Sequence, residues 1–117
     1  MITLTVITAV LVLAFGALGS AKVAAAPAMR SRARHAGFSV AAYRRIGMLE
    51  LLAAVGLLVG LALPVIGVLS AIGLLLLLGG AVLVHLRNRD GVREMVPALV
   101  LALVAISFVV LVLGRLT

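Results

Sequence analysis

Cysteine and tryptophan are both absent from this chain of 117 residues. The lack of thiols removes disulfides, thiolate-held iron–sulfur clusters and cysteine-based zinc sites. It also excludes membrane oxidoreductases that work through a CxxC pair. Carboxylates are scarce: Glu50, Asp90 and Glu94 are the whole set. Histidine occurs twice, as His35 between apolar runs and His85 at the end of one. A membrane haem wants two axial ligands on facing helices, so no haem or metal is expected. There is no nucleophile–base–orienter set. The glycines lie inside apolar spans, so there is no phosphate loop or dinucleotide fingerprint either. No catalytic residue is assigned, and a non-catalytic role is favoured over an enzymatic one.

Aromatic residues make up only 3% of the chain. The formal charge of +7 would suit nucleic acid, but such a surface needs an exposed basic helix with interleaved aromatics. Here the charges fall in two short clusters between apolar runs, the pattern of juxtamembrane loops. No nucleic-acid partner is expected.

What the sequence has in abundance is apolar length. It is 66% hydrophobic and 11% charged, against about 45–50% and about 25% for a soluble domain. The pattern predicts an all-α, polytopic membrane four-helix bundle, a single domain over residues 1–117, with helices over about 2–22, 40–63, 65–86 and 94–114. The run Ile2 to Ala21 is long enough to span a hydrocarbon core of about 30 Å. A signal peptide competes for it, because Val23 to Ala26 resembles a small-residue cleavage region. No basic residue precedes the run, however, and cleavage would put Arg30, Arg32 and Arg34 outside, so a retained helix is expected.

Pro27 argues against continuation of that first helix. Residues 22–45 then read as a basic cytoplasmic loop. Arg30 and Arg34 could line a short interfacial helix there, with a solvated loop as the preferred reading. Ser39 is a candidate N-cap for the second helix. Pro64 suits a tight turn between the second and third helices, giving an antiparallel hairpin. Asp90-Gly91 reads as a turn, with Asp90 a candidate cap, and Pro97 falls in the first turn of the fourth helix.

Counting Lys and Arg sets the expected topology. With four spans, the first and third connections share one side and carry nine of the ten basic residues; Arg115 is the tenth. The positive-inside rule then predicts both termini outside and both charged loops cytoplasmic. The arginine bias, with Ala and Val richness, fits a high-GC bacterial genome, so the expected location is a bacterial inner (plasma) membrane. Besides the bilayer itself, the basic loop is expected to meet anionic lipid head groups.

Glu50 is the one acid inside an apolar run. A carboxylate there is costly unless paired, protonated or facing a cavity, so by default it marks function. On a helical rise it lies about 7 Å deeper than Arg45. The candidate ligand-binding or proton-exchanging residues are Glu50, His85, Tyr43, Arg45 and Arg87. A Glu50–His85 bond would need a helix offset or a water bridge. The competing reading is that Glu50 bonds Tyr43, Arg45 or a backbone group and locks the helix entry.

Small residues drive helix association in lipid, and Gly47, Gly56, Gly60, Gly79 and Gly80 are the expected packing positions. Gly79-Gly80 would lie opposite Glu50 if the hairpin pivots at Pro64-Val65. Close packing within one bundle is the simpler use of these faces; homo-oligomer contacts are the alternative.

The motif Ile46-Gly-x-Leu-Glu-Leu resembles the DoxX-like family of small four-helix membrane proteins. So do Ala54-x-Gly-Leu-Leu58, Pro64, Gly67-x-Leu-x-Ala-x-Gly-Leu74 and Gly80-Ala-Val-x-x-His-x-Arg87-x-x-Asp90. The resemblance covers roughly residues 44–97, and the outer helices match only as generic apolar spans. Family members include subunits of quinone-linked sulfur oxidoreductases, proteins associated with redox-defence enzymes, and a receptor assembly chaperone. The resemblance implies a fold and a membrane location more firmly than a reaction. It places Glu50 and His85 on the family's polar positions.

The expected function is therefore an accessory or assembly partner of a membrane (redox) complex, with a quinone or lipid-like ligand near Glu50. One alternative is a proton-coupled exporter of the small multidrug resistance type. That family carries its acid in the first helix among aromatics and often has weak charge bias, unlike this chain. Another is a membrane-embedded enzyme acting on a lipid-like substrate with Glu50 as acid/base, although no second catalytic group lies nearby in sequence.

Overall fold

The computed structural model describes residues 2–116. Met1 and Thr117, the two ends of the expected domain, lie outside the described residues. The described residues form five helices and no strand: α1 (Ile2–Val23), α2 (Pro27–Ala36), α3 (Val40–Val59), α4 (Pro64–Arg87) and α5 (Val92–Leu116). The all-α expectation holds, but the count is five rather than four.

The additional helix, α2, lies in the segment read from sequence as a solvated loop. Pro27 explains both the end of α1 and the start of α2, because its fixed φ and missing N–H suit a first helical position. Gly37 ends the helix in the left-handed region, at φ 82°. There the amides of Gly37 and Phe38 donate to the carbonyls of Arg34 and Ala33. The buried face of α2 is Met29 and Ala33, four apart, while Arg30, Arg32 and Arg34 face outward.

The four long helices close a ring. Helix α1 packs on α3, α3 on α4, α4 on α5 and α5 on α1, while α2 lies against α3 and α1. Leu11, Leu57 and Leu74 are fully buried inside the ring, beside Phe15, Ala71, Ala105 and Phe108. The outside is equally apolar: Leu13, Leu76 and Leu103 are 73%, 74% and 66% exposed. Soluble monomers rarely show contiguous apolar surface on this scale, whereas lipid tails are as apolar as leucine. The hydroxyls of Thr8, Ser70 and Ser107 each donate to the carbonyl four residues back, so none needs water. Helices α1, α4 and α5 are long and apolar enough to cross a membrane. Helix α3 carries Arg44, Arg45 and Glu50 and is not among them.

Helix boundaries differ from the sequence reading at two places, the turn between α3 and α4 and the start of α5. Helix α3 stops at Val59, four residues before the expected end, and Pro64 opens α4 instead of sitting in the turn. The residue before a proline is pushed out of the helical region, and Leu63 accordingly has φ −122° and ψ 87°. The turn therefore occupies residues 60–63, where the Leu61 and Ala62 amides donate to Leu58 and Val59. Helix α5 begins at Val92, so Pro97 lies inside it rather than in its first turn. Its ring removes the bond that residue 97 would donate to the Arg93 carbonyl.

Candidate functional site

Tyr43, Gly47, Glu50 and Ala54 fall at helical spacing on one face of α3. Gly47, Glu50 and Ala54 are all buried. That face meets the end of α1. A Cβ on Gly19 would come within 2.8 Å of the Gly47 carbonyl oxygen, and one on Gly47 within 2.8 Å of the Gly19 carbonyl oxygen and 2.6 Å of the Lys22 Cβ. The two backbones touch at this pair of glycines. Each glycine has a charged residue three positions on, Lys22 after Gly19 and Glu50 after Gly47. The contact thus brings the two charges together.

Lys22 donates a hydrogen bond to the Glu50 carboxylate and forms an ion pair with it. Glu50 is 3% exposed and the Lys22 side chain 13%. The ammonium also lies 5.0 Å from the centre of the Tyr43 ring, a cation–π contact. Tyr43 in turn stands against Phe38, with ring centres 6.2 Å apart. The carbonyl end of α1 is tied down by two guanidiniums: Arg44 donates to the Val23 carbonyl at 3.0 Å, and Arg30 to that of Ala25 at 2.9 Å.

The other sequence-predicted partners of Glu50 are elsewhere. Arg45 and Arg87 are exposed. His85 binds Asp90 rather than Glu50. Lys22, the partner found, enters the sequence reading only through its charge. The signal that reveals it is the matched Gly-x-x-Lys and Gly-x-x-Glu on the two helices.

The packing glycines divide. A Cβ on Gly56 would meet the Ser70 hydroxyl at 2.0 Å, and one on Gly60 the Gly67 Cα at 2.5 Å, so α3 and α4 touch there. Continuing that register puts Glu50 level with Leu76 and Leu77. Gly79 and Gly80 do not face Glu50; both are exposed and a Cβ on either would meet nothing within 4 Å. The shift follows from the turn lying at residues 60–63, before Pro64. Gly79→Ala and Gly80→Ala are accordingly expected to be neutral or stabilising by up to about 1 kcal/mol, measured as the unfolding midpoint in detergent.

A second polar cluster ties α2 to the connection between α4 and α5. Asp90 accepts from His85 Nδ1 at 2.7 Å, and its two oxygens lie 3.0 and 3.1 Å from His35 Nε2. Asn88 donates to the His35 carbonyl at 3.0 Å. Asp90 is thus held by imidazoles instead of acting as the expected cap. The His85 hydrogen bond holds its carboxyl below the usual carboxylate range; burial opposes this, and the His35 bond adds to it. A lowered folded-state pKa means that the contribution is present above the unfolded value, near about 3.9, and is lost as pH falls through the folded one. The unfolding midpoint is expected to drop as pH falls below about 4, with a shallower drop in Asp90→Asn. Among the described residues no group of three His, Cys, Asp or Glu side chains is suited to a metal ion.

The cleft beside the Lys22–Glu50 pair, lined by Lys22, Met29, Arg30 and Tyr43 among others, leaves no room even for a water molecule. Ligand pockets for drug-sized molecules run to about 300–1,000 Å³. The pair is a satisfied contact between two helices.

Helices whose outer sides are largely apolar, joined at one end by a buried ion pair and basic connections, define a small helical membrane protein. The chain belongs to the DoxX-like family, whose model matches residues 6–107. That match takes in α1 and most of α5 as well as the middle helices that carry the motif. No curated protein and no solved structure gives a significant match.

Proposed function

We propose that the chain is a non-catalytic accessory or assembly subunit of a membrane complex. In this reading the Lys22–Glu50 pair is a lock that fixes α1 against α3, not a site of chemistry. The observation that carries it is the buried carboxylate itself, paired with Lys22 and with no open space beside it. A quinone or lipid near Glu50 would have to displace that contact, so any such ligand belongs elsewhere on the bundle.

The topology proposed with it has four crossings, α3 being the fourth, in a bacterial inner membrane. Both termini lie outside and the charged connections are cytoplasmic. Two arguments support the crossing by α3. Its charges are concentrated at one end, and its one deep charge is neutralised by Lys22. It also packs between α1 and α4, both of spanning length. The nine-to-one distribution of basic residues supports the orientation.

The test is removal of the chain from its host. A membrane complex should then lose assembly or abundance, and re-expression should restore it. Turnover of a quinol or lipid by the purified chain alone, or Glu50-dependent dye efflux from vesicles, would contradict it.

A further inference from the structure

A groove opens at the charged end of the bundle, on the side of the His35–Asp90–His85 cluster. One wall is the end of α2 and the turn after it, Ala36, Gly37 and Phe38. The other is the end of α4, Val84, Arg87 and Asn88. The space between them is about 490 Å³. Its width is set by the ties already described, since Asp90 and Asn88 both hold the His35 residue that adjoins Ala36.

The lining is mixed in a particular order. Arg87 follows directly on the apolar run of α4, at the level where a helix leaves the hydrocarbon. Val84 lies one turn deeper, about 4.5 Å on a helical rise. Phe38 faces it from the other wall and is 38% exposed. Among the described residues the Arg87 guanidinium has no hydrogen-bond or ion-pair partner. The Asp90 carboxylate, three residues on, bonds His85 and His35 instead of Arg87.

Two helix C-termini border the groove, and free carbonyls there would repel an anion. Most are already taken. Asn88, Arg89 and Asp90 amides cover Val84, Leu86 and His85, and the Asn88 side chain covers His35. Gly37 and Phe38 amides cover Arg34 and Ala33.

We infer that this groove binds one anionic phospholipid, its phosphodiester on the Arg87 guanidinium and the first methylenes of an acyl chain against Val84 and Phe38. A guanidinium matches phosphate oxygens bidentately, and the two apolar side chains give a lipid contacts that a free phosphate cannot use. The site is distinct from the Lys22–Glu50 pair and stands whether or not the chain is an accessory subunit.

The test is native mass spectrometry of the full chain in mild detergent, titrated with dioleoyl phosphatidylglycerol or dioleoyl phosphatidylcholine. One phosphatidylglycerol should be retained per chain, with a preference of about tenfold, or 1.4 kcal/mol. Arg87→Gln should abolish the preference and Arg87→Lys should keep part of it. Val84→Trp, which fills the groove without changing charge, should expel the lipid. Arg93→Gln, outside the groove, should leave retention unchanged. All three positions are exposed or half-buried, and helical circular dichroism checks the fold of each variant. Equal losses in Arg87→Gln and Arg93→Gln would overturn the proposal in favour of diffuse attraction to a basic chain. Equal retention of phosphatidylcholine, or no effect of Val84→Trp, would also overturn it. Displacement of the lipid by inorganic phosphate would make the site one for a free anion, against the proposal.

Discussion

Lys22→Met is expected to destabilise the folded chain by about 3–5 kcal/mol, the usual cost of leaving one member of a buried pair alone. Glu50 is 3% exposed, and among the described residues Lys22 is its only hydrogen-bond partner. Removing the ammonium leaves a carboxylate with neither water nor a donor. The reverse change, Glu50→Met, should cost less. Lys22 sits in the last turn of α1, is more exposed than its partner and has a long stem, so its head can swing toward the charged end. Unfolding midpoints of the two variants in one detergent should therefore rank Lys22→Met below Glu50→Met. Equal midpoints would show that the lysine is no freer than the acid.

Gly47→Val should be comparably damaging for a steric reason. The smallest possible side chain at Gly47 already meets the Lys22 Cβ at 2.6 Å, the Gly19 carbonyl oxygen at 2.8 Å and the Val23 nitrogen at 3.1 Å. Two of those atoms are backbone, so the helices must part. Overpacking alone costs about 1–3 kcal/mol, and parting the helices also draws Lys22 away from Glu50. The losses in Gly47→Val and Lys22→Met should consequently overlap, with a double-mutant coupling of about 0.5–3 kcal/mol. Simple additivity would mean that the glycine contact does not position the ion pair.

How much of this was legible in the sequence depends on the kind of signal. The long apolar runs declared α1, α4 and α5, because lipid demands uninterrupted length. The polar position of Glu50 announced a special site, because a lone acid in an apolar run needs an answer. Its partner was harder to see: a lysine at the end of another helix, paired through a tertiary contact that no local pattern states. Only the repeated glycine-to-charge spacing at Gly19-Lys22 and Gly47-Glu50 encodes it. Helix α2 was hidden by its own charge, since its apolar face is just Met29 and Ala33. Pro27 and Gly37, read together as start and stop, would have revealed it. The His35–Asp90–His85 cluster joins residues 55 apart in sequence at its widest, and a lone aspartate in a turn gives no hint of it. The hairpin register differs from the sequence expectation because proline's fixed φ makes Pro64 the first residue of α4 and not part of the turn.

The most direct test of the lock is the paired replacement Lys22→Met with Glu50→Met, scored by complementation of a host that lacks this chain, with the amount of folded protein measured in the same membranes. Replacing a buried ion pair by apolar residues of similar size is often neutral or stabilising. If the pair only holds α1 against α3, the double variant should accumulate like the wild type and complement like it, while each single variant falls short. A double variant that accumulates as folded protein yet fails to complement would contradict the account and make Glu50 a site of chemistry.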